Sequence, residues 1–423
     1  MRAAFFCPSA DVSGTKPVTT DDFLMGLACV AAAAEAEGVE VLVRTNCTID
    51  ELLREFTGAW RRFDLVAMQA FVTNWFSCVA LARNIKEAHP ACHIVVGGVH
   101  PTNFPEECLD TGVIDWVVRG EADITIRSMI RQMMAKLALN EISGLAFKLG
   151  GQTIVNTPGQ IPHDLDELPF PAWHLIYSRQ KKISVGHVLT SRGCPYHCAQ
   201  CPMVRLDGNA VREASIERVR SEIDILVNKY RLRHIDFMDE TFTINPERVE
   251  KLCEMLRTRS MRVTWRCFTR PQLVSRELLK NMADAGCRAI FYGIGTGSQR
   301  LMEILKSDID LDSVKDAVSW TEDAGISATA AFSIGIPHES FQESLQTIVF
   351  ARQLKASRIF FQFCYPFPGS RLHEVARLSG CFLTSDWAVA SAGQLIYVPD
   401  GRRSWELRAL KVIARLSANT TPR

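Results

Sequence analysis

Apolar residues in the first third of the chain fall in short runs that alternate with longer periodic stretches. Four runs have the length and apolar content of buried strands, and they are RAAFFCP, VEVLVRT, FDLVAMQAF and CHIVVGG. The stretches between them repeat apolar residues every three or four positions, which predicts helices. Repeated strand–helix units predict a doubly wound parallel-sheet domain over residues 1–140.

The pattern changes over residues 141–186. The segment ISGLAFKLGGQTIVN alternates apolar and polar residues around Gly150 and Gly151, which predicts a β-hairpin. The segment PHDLDELPFPAW that follows is rich in proline and acidic residues and has no period. We interpret it as an interdomain linker.

Strand–helix alternation returns over residues 187–376. The strand-like runs begin with HVLTS and end with IFFQF, and each of the earlier ones leads into a helical stretch. Six such steps predict a parallel sheet that curls into a partial (β/α)6 barrel, with functional residues at the carboxyl ends of its strands. Residues 377–423 are predicted to be a tail, in which SWELRALKVIARLS has the period of an amphipathic helix. The predicted fold class is α/β in both domains.

Composition and charge narrow the function classes. Hydrophobic residues make up 47% of the chain, charged residues make up 22%, and the net charge is +1. This balance is ordinary for a globular protein and gives no basic surface, so we expect no nucleic-acid partner. No run reaches the roughly 18 apolar residues of a membrane span, so none is expected. The first apolar run is too short for a signal peptide, so we expect a cytoplasmic location with reduced cysteines.

Three cysteines lie close together in TSRGCPYHCAQCP, at Cys194, Cys198 and Cys201. Structural zinc usually has four ligands in two separated pairs, and the next cysteines along the chain are Cys253 and Cys267. Three thiolates on one loop suit a [4Fe–4S] cluster better, because each binds one iron and the fourth iron stays open for a substrate or cofactor. Incidental cysteines are a weaker interpretation, since the flanking glycine and prolines predict a loop after the first strand of a barrel.

A Cys-x-x-x-Cys-x-x-Cys loop after the first strand of a six-step β/α domain resembles the radical S-adenosylmethionine (radical SAM) superfamily. The resemblance continues in order through the domain. The matching segments are IDFMDETFTIN, WRCFTRPQLV, FYGIGTGSQRLMEILK, FSIGIPHES and FQFCYPFPGSRLHEVA. They resemble the second to sixth strands of that domain together with their exits.

The N-terminal domain resembles the cobalamin-binding domain of class B radical SAM members. The segment that carries this resemblance is VVGGVHPTNFPEECLDTGVIDWVVRGEAD. Gly97 and Gly98 would let backbone approach a flat macrocycle. His100 is expected to shape the loop or to bind the corrin amides, and Glu121 is placed near the cofactor. The chain has no Asp-x-His-x-x-Gly motif, so the resemblance implies cobalamin held without a protein ligand to cobalt.

The resemblance also implies contacts to SAM. The candidate positions are Asp239, Glu240, Arg270, Gly293, Gly335 and Glu339. Arg270 is expected to meet the SAM carboxylate, and Gly335 with Glu339 to shape the adenine pocket. The fourth strand lacks the glutamate usual in the family, so Asp239 or Glu240 is expected to replace it. The plainer alternatives are a solvated turn or helix cap for the two acids, a surface role for Arg270 and a first-turn helix acid for Glu339.

The implied activity is that of a cobalamin-dependent radical SAM C-methyltransferase with three cofactors, namely the [4Fe–4S] cluster, SAM and cobalamin. It would act on an unactivated carbon of a natural-product, lipid or pigment precursor through a 5′-deoxyadenosyl radical. A flavodoxin or ferredoxin is the expected electron donor. A non-methylating radical SAM enzyme, with a dehydration, cyclisation or ring rearrangement and a cobalamin domain used differently, is the alternative. A non-catalytic iron–sulfur or zinc protein ranks last, because it would need a fourth nearby cysteine.

Overall fold

A computed structural model describes residues 1–10, 24–177, 184–203, 210–257 and 263–419. The chain divides into two compact units. The first comprises Met1–Lys181, Pro202–Gly208 and Asp386–Ala392, and the second comprises Lys182–Cys201, Asn209–Ser385 and Gly393–Arg423. Each unit contains its own β-sheet.

The sheet of the first unit has a parallel core and an antiparallel edge. Its strands are β1 (Arg2–Pro8), β2 (Glu40–Cys47), β3 (Leu65–Gln69), β4 (His93–Gly97), β5 (Trp116–Val118), β6 (Leu145–Leu149) and β7 (Gln152–Val155). The strand order is β2-β1-β3-β4-β5-β6-β7, and β1 to β5 are parallel. The order reverses between β1 and β3, and ligands of doubly wound sheets bind beside such a reversal, at the carboxyl ends of the strands.

Helices cover this sheet because its strands are apolar on both faces. They are α1 (Leu24–Glu35), α2 (Ile49–Glu55), α3 (Trp75–Ala88), α4 (Val99–Asn103), α5 (Pro105–Asp110), α6 (Asp123–Met134) and α7 (Trp173–Tyr177). One core joins α2, α3 and α5 to alternate residues of the strands, including Phe6, Met68 and Val96. Helices α1 and α6 pack against each other. The doubly wound sheet that the sequence predicts is confirmed.

The boundaries predicted for residues 141–186 need correction. The hairpin β6–β7 is part of the first sheet, since β6 pairs antiparallel with β5. The segment interpreted as a linker also packs on this unit. Leu165 and Trp173 in it are buried, and the Ala172 N–H donates to the Ala28 carbonyl at 3.0 Å. Both segments carry apolar side chains that the first unit buries, which the proline-rich composition obscures.

The sheet of the second unit is parallel and sequential. Its strands are β8 (Val185–Val188), β11 (His234–Phe237), β12 (Thr264–Thr269), β13 (Cys287–Gly295), β14 (Ser327–Ile334) and β15 (Arg358–Phe363), with the short antiparallel pair β9 (Ser191–Arg192) and β10 (Arg212–Glu213) beside them. The order runs β8-β11-β12-β13-β14-β15 without reversal. Right-handed crossovers in such an order place all the helices on one face, and this is the open-barrel arrangement that the sequence predicts.

Helices connect these strands and cover the outer face of the sheet. They are α8 (Ile216–Asn228), α9 (Pro246–Arg257), α10 (Arg276–Asp284), α11 (Gln299–Ile304), α12 (Leu311–Asp323), α13 (Phe341–Gln353) and α14 (Arg371–Leu378). A methyl group built on Gly186 of β8 would lie 3.0 Å from Ile235 and from Leu226 of α8. Gly186 and Ile235 therefore face the helices, and their strand neighbours face the inner side of the sheet.

The predicted tail also needs correction. It holds β16 (Gly380–Phe382), α15 (Ala388–Ser391), β17 (Tyr397–Pro399) and α16 (Ser404–Asn419), and β16 pairs antiparallel with β17. Helix α16 packs on β15 and α13, and its Leu407 and Leu410 are buried. The amphipathic helix predicted for this segment is thus an integral part of the second unit. No described helix has the length and apolar content needed to cross a membrane.

Candidate functional site

The three-cysteine loop begins where the first strand of the second unit ends. Cys194, Cys198 and Cys201 follow β9 and are half-buried. The centre of the loop is fixed by backbone hydrogen bonds on both sides of Ala199. The Ala199 N–H donates to Leu305 at 2.8 Å, and its carbonyl accepts from Leu372 at 2.7 Å. The loop therefore holds its thiols on a fixed backbone, anchored to α14 and to the end of α11.

Polar side chains reach two of the thiols. The Cys194 sulfur lies 3.7 Å from the Thr241 hydroxyl. Arg270, directly after β12, donates from Nη1 to the Cys198 sulfur at 3.2 Å. The same guanidinium lies 3.7 Å from the ring centroid of Tyr196, between the two cysteines. The sequence predicts that Arg270 meets the SAM carboxylate, whereas the structure places it on a thiol of the loop.

Asp239 binds the residues that precede the cysteine loop. It is buried and accepts hydrogen bonds from the Thr190 N–H at 2.7 Å, from the Thr190 hydroxyl and from the Ser191 hydroxyl at 2.8 Å. Burial raises the pKa of this carboxyl group, and the Thr190 and Ser191 hydrogen bonds oppose that rise. Arg248 of α9 donates to the Thr190 hydroxyl and carbonyl at 2.8 Å and to the Ala214 carbonyl at 2.9 Å. The group fastens the strand end that leads into the cysteines.

The remaining SAM candidates lie at or near the carboxyl ends of neighbouring strands. Glu240 is half-buried beside Asp239. Gly293 on β13 is exposed, and a methyl group added there would meet nothing within 4 Å. This glycine therefore leaves open space on the sheet, as a bound ligand would require. The contacts of these residues with SAM remain predictions.

Gly335 and Glu339 form one closed turn after β14. Gly335 has φ +86°, a conformation that L side chains rarely adopt. The buried Glu339 carboxylate accepts from the Gly335 N–H and from the Ile336 N–H, the latter at 3.1 Å. Burial raises the pKa of Glu339 to about 7, and the two backbone hydrogen bonds oppose that rise. Glu339 thus shapes this turn, while its predicted contact with adenine remains a prediction.

The candidates in the first unit lie in the loops after β4 and β5. Gly98 has φ +106°, and a methyl group on it would lie 2.9 Å from the Ala70 carbonyl oxygen. Glycine is therefore required there for the close approach of two backbone segments. Its neighbour Gly97 would bring a methyl group only into ordinary contact with Val118. Glu121 is buried in the next loop, where the Gly120 N–H donates to the Thr102 hydroxyl at 3.0 Å.

His100 lies in the core of the first unit. It is 4% exposed, and its ring centroid lies 4.8 Å from that of Trp75 and 5.4 Å from that of Phe104. Its Nε2 is 3.6 Å from a Glu107 carboxylate oxygen. This environment favours the loop-shaping role over the contact with corrin amides.

Comparison with known protein families identifies both units. The profile of the Radical SAM superfamily matches residues 188–351, which include the cysteine loop. Residues 188–351 therefore form a radical SAM domain. The profile of the B12 binding domain matches residues 18–130, and the chain therefore joins a B12-binding domain to a radical SAM domain.

Individual relatives match most of the chain. An uncharacterized methyltransferase of Pyrococcus horikoshii is 28% identical over 393 residues, which cover 92% of this chain and 85% of the relative. The anaerobic magnesium-protoporphyrin IX monomethyl ester cyclase of Rubrivivax gelatinosus is 24% identical over 393 residues, covering 88% of this chain and 70% of the relative. The solved structure of the radical S-adenosylmethionine methyltransferase TsrM from Kitasatospora setae matches with a TM-score of 0.78 at 16% identity, over 97% of this chain and 88% of that one. This last match shows a shared fold.

The donor set of the radical SAM domain fits an iron–sulfur cluster. Within the described ranges, no three His, Cys, Asp or Glu side chains are grouped to hold a single metal ion. Thiolates that bind separate irons of one cluster lie farther apart than the ligands of one zinc ion. Three half-buried thiols on one loop with a fixed centre are the donor set that a [4Fe–4S] cluster with one open iron would need.

The B12-binding domain fits a corrinoid held by backbone. The carboxyl ends of β3 and β4 are brought together by Gly98 and Ala70. His100, next to this edge, is turned into the core between Trp75 and Phe104. Backbone therefore shapes this edge, and His100 packs in the core beside it.

Sequence reasoning missed a polar group on the inner face of the radical SAM sheet. Parallel pairing sets His187, Asp236 and Arg266 side by side on β8, β11 and β12. Asp236 is fully buried, pairs with the Arg266 guanidinium and has His234 Nε2 at 3.4 Å from Oδ1. The signal was present in the sequence, because HVLTS, HIDFMD and VTWRCFT each place a charged or imidazole side chain within an apolar strand.

Proposed function

We propose that this protein is a cobalamin-dependent radical SAM enzyme that transfers a methyl group to an unactivated carbon of a small molecule. One observation carries the proposal. A loop with three half-buried thiols follows the first strand of a sequential parallel sheet, in a chain that also holds a B12-binding domain. The name of the Pyrococcus horikoshii relative, which matches 92% of the chain, supports methyl transfer.

Cys194, Cys198 and Cys201 would hold the [4Fe–4S] cluster. When bound, the cluster and cobalamin supply one-electron cleavage of SAM and methyl transfer, respectively. The chain's own residues fix the loop and shape the space beside it. Asp239 anchors the strand end before the cysteines, and Gly293 leaves open space on β13.

The alternative is radical chemistry without methylation. It is favoured by the Rubrivivax gelatinosus cyclase, whose similarity covers 88% of the chain. In that case the B12-binding domain would serve a different role, and the product would be a cyclised, dehydrated or rearranged form of the substrate. Natural-product, lipid and pigment precursors are the substrate classes that we propose for either reaction.

We further propose a cytoplasmic location and reduction by a flavodoxin or ferredoxin. None of the fourteen cysteines, all of which lie in the described ranges, is in a disulfide. Free thiols persist in the reducing cytosol, whereas oxidising compartments favour disulfides. A low-potential donor is expected because reductive cleavage of the SAM sulfonium bond consumes one electron from a strong reductant.

The experiment that tests the proposal is anaerobic reconstitution with iron, sulfide and hydroxocobalamin, followed by incubation with SAM that carries a deuterated methyl group and with dithionite. About four irons and one cobalt per chain, 5′-deoxyadenosine and recovery of the label in the bound corrinoid after removal of SAM are expected. Iron and 5′-deoxyadenosine without cobalt or label would instead support the non-methylating alternative. A chain that binds neither metal would contradict both.

A further inference from the structure

Arg270 is held in place by three separate contacts. Its guanidinium plane lies 3.7 Å from the Tyr196 ring centroid, and Nη1 donates to the Cys198 sulfur at 3.2 Å. The side-chain amide of Gln272 lies beside the guanidinium, and with its oxygen and nitrogen exchanged the oxygen would accept from Nε at 3.1 Å and from Nη2 at 3.2 Å. In that orientation all three nitrogens of the guanidinium are engaged, and its face is covered by an aromatic ring.

The backbone strengthens this arrangement. Arg270 directly follows β12 and precedes a short 3-10 turn, Pro271–Leu273, in which the Leu273 N–H donates to the Arg270 carbonyl at 3.1 Å. Proline at the first position of the turn fixes the backbone directly after Arg270. Stacking of a guanidinium on an aromatic ring contributes about 0.5–2 kcal/mol. The side chain thus approaches Cys198 from a preset direction.

We infer that Arg270 tunes the reduction potential of the cluster through its hydrogen bond to the Cys198 thiolate, and that Gln272 and Tyr196 position it for this role. The inference rests on the proposed function, since it requires the cluster. It differs from the SAM contact that the sequence predicts. An N–H donor and a positive charge beside a ligand sulfur stabilise the more negative, reduced cluster and so raise its potential.

The test is an EPR-monitored redox titration of the reconstituted full chain without SAM, with dithionite as the source of the electron. Arg270→Met removes the charge and the donors, so the midpoint potential is expected to fall below that of the wild type. Arg270→Lys keeps the charge but loses the planar fork, and its potential is expected to lie between the two. Gln272→Leu removes an acceptor that positions the Arg270 guanidinium. It is expected to lower the midpoint potential as well, by less than Arg270→Met.

Arg276→Met is the matched control. Arg276 of α10 also lies over an aromatic ring, Trp320 at 5.4 Å, and pairs with Asp323 at 3.3 Å. Its removal is expected to leave the potential unchanged. This variant separates a general loss of an arginine–aromatic contact from the contact with Cys198.

The outcomes distinguish the inference from the proposed function. A wild-type chain that takes up no iron would overturn the proposed function, and the inference with it. Arg270→Met with a full cluster and an unchanged potential would overturn the inference alone, as would weaker SAM binding without any change in potential. If Arg270→Met fails to take up iron, Arg270→Lys and Gln272→Leu provide the test. Unchanged midpoint potentials in both of these variants would overturn the inference.

Discussion

Single residues in this chain are fixed by backbone requirements as much as by chemistry. Gly98 has φ +106° and approaches the Ala70 carbonyl, and Glu339 closes the turn that begins at Gly335. In both cases a residue that the sequence assigns to a cofactor also has a structural task. Substitutions at these positions must therefore be compared with controls that carry the same backbone or charge change.

Gly98→Ala is expected to destabilise the B12-binding domain by roughly 1–3 kcal/mol, because it adds a steric clash to an unfavourable φ. Gly112→Ala is the control. Gly112 has φ +70°, and a methyl group there meets nothing within 4 Å, so only the cost of the φ angle applies. The check is the urea midpoint of the full chain. Equal losses in the two variants would show that the approach to Ala70 is unimportant.

Glu339→Gln is expected to change how stability depends on pH. Burial raises the folded pKa to about 7 from an ordinary 4.5, so the folded chain keeps a proton that the unfolded chain releases between these values. The protonated Glu339 therefore contributes to the free energy of unfolding of the wild type below pH 4.5. This contribution, at most about 3 kcal/mol, is lost as the pH rises to about 7. Glutamine keeps the acceptor oxygen and does not titrate.

The stability of Glu339→Gln relative to the wild type is therefore expected to rise between pH 4.5 and 7 and to level off above that range. Urea denaturation of both chains at several pH values gives this difference directly. A difference that stays constant across the range would show that the carboxyl group does not retain its proton in the folded chain.

Among the elements, α9 has a task that its sequence does not reveal. Its Arg248 reaches across to Thr190 and Ala214, near the two ends of the connection that contains the cysteine loop. Asp239 completes the group from the end of β11. The helix therefore stabilises the strand end that carries the candidate cluster site.

Arg248→Met is expected to cost roughly 2–4 kcal/mol, because it removes a side-chain donor from the Thr190 and Ala214 carbonyls and a nearby positive charge from the buried Asp239. Hydrogen exchange of residues 189–193 is expected to accelerate. Arg220→Met is the control, since Arg220 on α8 is exposed and 4.0 Å from Asp224, a pair that contributes little. Equal exchange rates of residues 189–193 in the two variants would show that α9 does not stabilise the start of the cysteine loop.

The alternation of apolar runs sufficed to predict both sheets and the position of the cysteine loop. It could not show that β6 would pair with β5, because a hairpin signal describes local pairing and not the neighbour it joins. Nor could it show the direction of Arg270 or of Asp239. Both residues follow strands at the expected edge. Arg270 contacts the Cys198 thiol, whereas Asp239 accepts from Thr190 and Ser191.

At the scale of the whole molecule, the chain combines two parallel sheets that each present the carboxyl ends of their strands as a binding edge. The radical SAM domain carries three half-buried thiols at that edge. The B12-binding domain carries a backbone-shaped edge with its histidine turned into the core. Because one chain carries both edges, we propose two cofactors in addition to SAM.

The central claim is that Cys194, Cys198 and Cys201 hold a cluster that cleaves SAM. Its most direct test is the formation of 5′-deoxyadenosine from SAM and dithionite by the anaerobically reconstituted chain, alongside a variant with all three changed to Ala. Cys381→Ala, at an exposed cysteine outside the loop, is the control. We predict product from the wild type and from Cys381→Ala, and none from the triple variant. Equal product from the triple variant would contradict the account.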